Sequence, residues 1–396
     1  MTRQAETTKV GIVGGGPAGL MLSHLLARVG IDNIVLEARD HETIKNTHRA
    51  GILETGAVDM LTDYGVDSRI KDLGYEHHGI DLRFNGQSHR INFKELIDAS
   101  VWLYPQNEVF VDLAAARARD NGDVRYEHTV TDLEDVETDA PKIHYTDAQG
   151  NPGIIEAQVV VGTDGSRSFC RRAIPSETRQ EHKIEYPFAW FGILTEAPPS
   201  AEELIYANSP RGFALISQRN ESVQRHYFQC DPDEDPADWT EDQIWDELQA
   251  RVDGPDGFQL KRGPFFEKTV LKFRSFVAEP MRWGNLFLAG DAGHTVPPTG
   301  AKGLNLAFAD VKVLFDALEQ FFTTGQTAGI DHYSETALKR VWKAQNFSYW
   351  MTSMLHTRED ATSFETRRAI GELHTVVGSK YGQQYLAESY CGWPHE

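Results

Sequence analysis

An α/β fold with a second, mainly β unit is predicted by three observations. A short apolar run, Val10 to Val13, leads into Gly14, Gly16 and Gly19 in GxGxxG spacing, and Leu20, Leu22, Leu25, Leu26 and Val29 follow at helical intervals. A further apolar strand, Asn33 to Leu36, then delivers Glu37. Far downstream, from Glu181 to about Phe276, the texture changes to aromatic and β-branched strands separated by Pro-rich turns. Strand, glycine turn, helix and strand in this order define a Rossmann-like nucleotide-binding unit at the start of the chain.

Each part of that unit has a physical task. Gly14 permits the tight turn, Gly16 lets the backbone approach a pyrophosphate, and Gly19 lets the helix lie close to the strand. The helix N-terminus offers free N–H groups to phosphate, and Glu37 stands where a ribose hydroxyl donates. A glycine-rich turn without ligand is the plain alternative, and the full context of two strands, helix and carboxylate argues against it. Alone, this stretch says dinucleotide, with NAD as the default.

Length and charge bound the rest. With 396 residues the chain exceeds one ordinary core and has room for a large cofactor. It carries 59 acidic against 39 basic residues, a formal charge of −20, which argues against nucleic acid as a partner and requires local arginines for any anionic ligand. Cys170, Cys230 and Cys391 lack CxxC spacing, so neither a disulfide framework nor a metal site is expected. No apolar run is long enough to span a bilayer, and the polar N-terminal residues run straight into the first strand. No membrane partner and a cytoplasmic location are therefore expected.

Beyond Glu37 a polar segment holds Arg39, Lys45, His48 and Arg49, and the spacing predicts an amphipathic helix from Ile52 to about Tyr64. His77 and His78 lie in a strand-rich section, and Gln106 precedes an apolar helical stretch from Val109 to Ala118. Short strands follow around Arg125 to His128, Lys142 to Tyr145 and Ile154 to Val161. The last is a buried strand ending at Asp164-Gly165, where open α/β sheets keep their ligands. Arg167, Arg171 and Arg172 make this turn basic, as a ligand site or as a solvated edge.

In the β section, Phe213 to Arg219 and Gln224 to Gln229 read as two strands joined by a short turn. Side chains two apart share a face, so Ser217 joins Arg219 and Arg225 joins Tyr227, polar groups able to line a cavity. Arg219 paired with an internal acid is the alternative. The third section reads as a strand, Gly290-Asp291, a proline-stiffened turn through Pro298, and a helix to about Phe322 whose positive end stabilises negative charge. From Asp331 onward the chain reads as helical, with Trp342, Trp350, Met351 and Met354 in a stripe suited to core or subunit interface.

Three separated nucleotide motifs in this order, the glycine turn with Glu37, Asp164-Gly165 and Gly290-Asp291, resemble those of the single-component FAD-dependent aromatic hydroxylases. So do the strings Arg49-Ala-Gly-Ile-Leu-Glu54, Glu203-Leu-Ile-Tyr-Ala-Asn208, Pro210-Arg-Gly-Phe-Ala-Leu215 and Pro297-Pro-Thr-Gly-Ala-Lys-Gly-Leu-Asn305, and the likeness runs from about Lys9 to Pro394. It implies a Rossmann-like FAD-binding domain over residues 1–180, completed by 277–325. A β-sheet substrate domain over 181–276, and an FAD-closing motif with a C-terminal helical region over 277–396, complete the implied division. The implied activity is NAD(P)H-dependent hydroxylation of a phenolic acid by bound FAD and O₂, 4-hydroxybenzoate becoming 3,4-dihydroxybenzoate, in a homodimer.

The same resemblance implies that Gly14, Gly16, Gly19, Glu37, Arg49, Gln106, Asp164, Asp291, Leu304 and Asn305 hold FAD. Ser217, Arg219 and Tyr227 would bind the substrate carboxylate, and Arg225 would position the flavin. Tyr206 would meet the phenol, the Pro298 carbonyl would sit near the same hydroxyl, and Tyr390 and His77 would carry its proton outward. The chemistry suits these residue types. An arginine meets a planar carboxylate with two parallel N–H bonds, and a deprotonated phenol activates the neighbouring ring carbon toward an electrophilic oxygen.

Departures from the family pattern concern the nicotinamide. Well-known members place Arg-Gln after the Glu, then a Tyr and an Arg, where this chain has Ala38, Arg39, Thr43 and Thr47. A 2′-phosphate prefers arginine forks, so NADH is expected to serve at least as well as NADPH. Arg39, Arg49, Arg167, which stands where the family shows His, and Arg274 are the candidates for this site. The competing readings are an FAD hydroxylase of another phenolic acid and a flavin-binding sensor without turnover.

Overall fold

The computed structural model describes residues 5–47, 51–66 and 69–393. The roles expected of Arg49 lie outside the described residues. In chain order, β1 (Glu6–Val13), α1 (Pro17–Arg28) and β2 (Asn33–Leu36) form the expected strand, turn, helix and strand. A short helix α2 (His41–Lys45), capped by the Asp40 side chain on Thr43 N, follows. Next come β3 (Ile52–Glu54), α3 (Thr55–Asp63), α4 (Arg69–Leu73), β4 (Tyr75–His77), β5 (Gly79–Phe84), β6 (Gln87–Asn92), α5 (Phe93–Ile97), β7 (Val101–Leu103) and α6 (Gln106–Arg119). The helix expected from Ile52 thus begins only at Thr55. Ile52 and Leu53 pair with Leu103 and Trp102 instead, a tertiary contact that overrides the helical spacing.

The chain continues through β8 (Asp123–Arg125), β9 (Thr129–Glu134), β10 (Lys142–Thr146), β11 (Pro152–Gly162) and α7 (Phe169–Ala173). It then forms β12 (Gln180–Glu196), β13 (Leu204–Ser209), β14 (Gly212–Gln218), β15 (Val223–Cys230), α8 (Glu241–Val252) and β16 (Phe265–Glu279). β17 (Arg282–Trp283), β18 (Leu286–Leu288) and β19 (His294–Thr295) precede α9 (Gly303–Thr324), α10 (Ala328–Asp331), α11 (Tyr333–Leu355), α12 (Ser363–Gly378) and α13 (Lys380–Cys391).

β18, β11, β1, β2 and β8 lie side by side as a parallel array, with the glycine turn leaving its central strand β1. Parallel strands covered on both faces read as continuous apolar runs, and Val10, Ile12, Val159, Val160 and Val161 are all buried. The second sheet runs β19-β16-β12-β15-β14-β13-β5-β6. It takes β5 and β6 from the span assigned to the first domain, because β5 pairs in parallel with β13. α8, started by a capping box of Thr240 and Gln243, interrupts a span read as mainly β. One face of this sheet carries Tyr206, Phe213, Leu215 and Tyr227 toward Met351, Met354, Leu386 and Tyr390 of the C-terminal helices. The opposite face packs Ile205, Ala214, Ile216 and Phe228 on α8. No described helix is long and apolar enough to cross a membrane.

Candidate active site

The glycine turn is shaped by close approach. Gly14 has φ +109, and a Cβ there would lie 2.4 Å from the Thr163 carbonyl oxygen; a Cβ on Gly19 would lie 2.0 Å from that of Gly14. A Cβ on Gly16 would meet nothing within 4 Å, Pro17 opens the helix, and no side chain caps α1, so its N–H groups face open space. This geometry fits a pyrophosphate. Glu37 is buried, its Oε2 accepting from Gly15 N at 2.8 Å and its Oε1 from Arg39 N and Nε at 3.0 Å each.

The second motif differs in one respect from the expected ligand set. Asp164 accepts from Ser168 Oγ at 2.6 Å and from the Phe169 and Cys170 backbone N–H groups, so its carboxylate holds the turn and the start of α7. Thr163 ties this turn to the first by donating to the Gly14 carbonyl at 2.8 Å. Arg274 Nη2 approaches the Ser166 carbonyl at 3.4 Å, which brings this exposed guanidinium beside the exposed Arg167.

In the third motif, Gly290 N–H donates to Asp310 Oδ2 at 2.8 Å and His294 Nε2 meets the same oxygen at 2.6 Å. Burial alone lowers the affinity of His294 for its proton, but Asp310 outweighs it and holds the ring above its ordinary pKa. This buried pair fixes the turn that presents Asp291. Beyond it, the Pro298 carbonyl accepts from Ala301 N at 2.9 Å, and α9 begins without a side-chain cap, leaving N–H groups near Leu304 open. Asn305 anchors β3, accepting from Glu54 N and donating to the Ile52 carbonyl at 2.9 Å each. Gln106 is the first residue of α6, half-buried.

The polar residues expected to meet substrate share a sheet face. Tyr206 pairs with Leu215, Leu215 with Tyr227, and Tyr227 with Gly192, a row across four strands, with Ser217, Arg225, Leu194 and Glu267 in the next. Tyr206 and Tyr227 stand on strands two spacings apart, about 9–10 Å between backbones, with Leu215 between them. Arg225 lies 5.2 Å from the Tyr227 ring centre, and its buried Nη1 has no hydrogen-bond partner among the described residues. Arg219 is half-buried close by; burial, then the charge of Arg225, pushes its pKa down to about 10, with Glu267 opposing. Two cations held together this way favour an incoming anion. Ser217 Oγ donates to the Arg225 carbonyl at 2.5 Å, so it must turn to meet a carboxylate.

At the other end of the row the Tyr206 and Tyr390 hydroxyls lie 2.7 Å apart, each side chain about 1% exposed. Burial raises both phenol pKa values, that of Tyr206 being eased by the Tyr390 bond. His77 is buried and bonded through Nε2 to the Gln218 amide nitrogen at 3.0 Å rather than to Tyr390. Lys302, the residue before α9, is buried, its Nζ donating to Glu54 Oε1 at 2.6 Å and to the Tyr390 carbonyl at 2.8 Å.

Several of these contributors escaped sequence reasoning. Gly192 lies mid-strand because a Cβ there would sit 2.7 Å from the Tyr227 ring; a glycine inside a strand is the signal. Trp190 lies tilted against Tyr227, ring centres 4.9 Å apart, and donates to His356 Nε2 at 2.7 Å, a contact between positions with no spacing in common. Gln218 carried no signal, and Glu54 and Lys302 stood in family-like strings with nothing to show that they pair.

Uncapped N-termini on α1 and α9, a parallel sheet, and a second sheet carrying arginines and phenols accord with the architecture of a flavoprotein aromatic hydroxylase. The chain belongs to the FAD binding domain family, which matches residues 7–348, and is an FAD-dependent aromatic monooxygenase. It is 44% identical over 394 residues, 99% of this chain and 97% of the relative, to p-hydroxybenzoate hydroxylase of Acinetobacter baylyi. A 3-(3-hydroxy-phenyl)propionate/3-hydroxycinnamic acid hydroxylase of Burkholderia vietnamiensis is 25% identical over 79% of this chain and 50% of its own length. Among solved structures, p-nitrophenol 4-monooxygenase of Pseudomonas putida shares the fold with a TM-score of 0.83 at 19% identity, covering 98% of this chain and 99% of that one. Aklavinone-11 hydroxylase, solved with FAD and aklavinone, gives 0.73 at 20% identity over 89% of this chain and 70% of its own.

Proposed function

We propose that the chain hydroxylates 4-hydroxybenzoate at C3 to 3,4-dihydroxybenzoate, using FAD, O₂ and NADH or NADPH. The observation carrying this reading is the sheet face that carries Tyr227 and Arg225, with Arg219 close to both, and the buried Tyr206–Tyr390 pair two strands away. Arg219 binds the carboxylate with Tyr227 and a reoriented Ser217, which fixes the ring with its phenol toward Tyr206. Tyr206 accepts the phenol proton as it passes its own to Tyr390, so the substrate gains phenolate character and its neighbouring carbon gains electron density. His77 receives the proton farther out, and the Pro298 carbonyl orients the hydroxyl. Gly14, Gly16, Gly19, Glu37, Gln106, Asp291, Leu304 and Asn305 would hold FAD, which when reduced would activate O₂ as the electrophilic oxygen donor. Arg225 positions the flavin with its unpartnered nitrogen, and Arg167 and Arg274 hold the visiting nicotinamide pyrophosphate.

The organisation supporting this reading is an FAD-binding region, a β substrate region and a helical C-terminus. Phe364, Tyr381 and Tyr385 are exposed by 74%, 82% and 47% on α12 and α13, with Trp342 and Tyr349 on α11, an aromatic face suited to a second copy of the chain. Light scattering tests the homodimer, and fractionation of the native cell tests the cytoplasmic location. The activity is tested by following NADH oxidation, oxygen uptake and product with a panel of hydroxybenzoates. 3,4-Dihydroxybenzoate from 4-hydroxybenzoate is the expected product, and its absence sinks the proposal.

A further inference from the structure

We propose that Gln218 is a positioning residue for proton transfer, fixing His77 as the Nδ1–H tautomer and holding its Nε2 closed to protons. This rests on reading Tyr206, Tyr390 and His77 as the proton path. Gln218 is 5% exposed at the end of β14, and His77 is 2% exposed at the end of β4. The Gln218 amide nitrogen lies 3.0 Å from both the Glu202 carbonyl oxygen and His77 Nε2. A carbonyl oxygen only accepts, so the amide must present its NH₂ group there; turned over, its oxygen would face another oxygen. The second amide hydrogen then points at Nε2, which must accept. The ring proton therefore sits on Nδ1, a buried atom without a partner among the described residues.

The consequence is a closed outlet. In this arrangement Nδ1 already carries its proton and Nε2 is occupied, so His77 takes up a proton only when the Gln218 bond breaks. Gln218 also stands between Ser217 and Arg219 in the chain, so the strand that grips the carboxylate carries the residue that closes the outlet. The charged and titratable groups around the ring are Glu203, already paired with Arg90 at 2.8 Å, and His78, which lies 3.6 Å from Glu76. Tyr206 on β13 and Tyr390 on α13, bonded to each other at 2.7 Å, are the remaining members of the proposed path. Burial depresses His77 below the ordinary 6.5, with Glu203 opposing and His78 adding to the effect.

The test uses holoenzyme labelled with ¹⁵N at histidine, the His77 signals being assigned by their loss in His77→Gln. The parent is expected to show a protonated Nδ1 and an unprotonated Nε2. In Gln218→Leu both tautomers should appear, and the acid limb of kcat for 4-hydroxybenzoate should move up by roughly 0.5–1 pH unit, the worth of one hydrogen bond to the neutral ring. KM should stay within about twofold, which a general loosening of the strand would not allow. Gln218→Glu keeps the side-chain length and should convert the ring to the Nε2–H tautomer, moving the limb further. A parent ring protonated at Nε2 overturns the assignment, as does either variant, once folded, with the parent's tautomer and acid limb. The tautomer is read without substrate, so a failure to form 3,4-dihydroxybenzoate would count against the substrate assignment alone.

Discussion

Arg219 sits half-buried beside Arg225 in a protein of charge −20, its pKa lowered by burial and by Arg225 and raised by Tyr227, Glu267 and Glu108. In the role proposed for it, its removal would leave a bound carboxylate without its fork. Arg219→Ala is expected to weaken 4-hydroxybenzoate binding by roughly 30-fold or more, the 2–5 kcal/mol typical of truncating such a pair, measured by the flavin absorbance change on titration. The Tyr206–Tyr390 pair acts on a different quantity. Tyr390→Phe deletes the hydroxyl 2.7 Å from Tyr206 and should slow hydroxylation at least about tenfold while substrate binding persists, as stopped-flow measurement of the oxidative half-reaction would show. Unchanged turnover would remove Tyr390 from the proton path.

Single elements set the reach of these side chains. In β12, Gly192 leaves the space that the Tyr227 ring occupies, and a methyl group there would lie 2.7 Å from the ring. Gly192→Ala should therefore displace Tyr227, lower stability by about 1–3 kcal/mol and raise KM, checked by thermal melting and steady-state kinetics. The residues of α2 and its flanks bear on the proposed nicotinamide choice. Thr43 Oγ1 donates to Asp40 at 2.5 Å, Thr47 Oγ1 to the Thr43 carbonyl at 2.7 Å, and Arg39 Nε is turned onto Glu37. None of these presents a fork to a 2′-phosphate. The ratio of kcat/KM for NADPH over NADH should stay below about tenfold, roughly 1.4 kcal/mol, and Thr47→Arg should raise it; a parent ratio above tenfold contradicts this reading of α2.

Over the whole molecule, burial makes acid the weak point. His226 and His356 are held neutral by burial, their pKa values pushed down to about 3 from 6.5. Between those values the unfolded chain binds protons at both rings and the native chain does not, so stability falls as pH drops below 6.5, by about 1.4 kcal/mol per unit for each ring. Urea denaturation at pH 7 and pH 5 should show this loss, and His226→Phe should flatten it. His356 also accepts from Trp190 and stacks on Phe213 with ring centres 4.4 Å apart, so one of the two acid-sensitive rings packs against the sheet face proposed to meet substrate.

What the sequence determined by itself was local. The glycine turn, β1, α1, β2 and Glu37 were legible because their constraints lie within one short stretch, where each Cβ or its absence meets the next turn of chain. The pairing of Ser217 with Arg219, and of Arg225 with Tyr227, followed from strand alternation alone. Tertiary structure decided what depends on partners far apart in the chain. Ile52 became strand because Leu103 was there to pair with it. Asp164 was drawn into capping its own turn, and Arg39 onto Glu37. β5 joined the second sheet through β13. Periodicity cannot report such contacts, because hydrogen-bond satisfaction of a buried group is fixed by whichever donor the fold brings within reach, and Gln218 reached His77 only once β14 and β4 were placed.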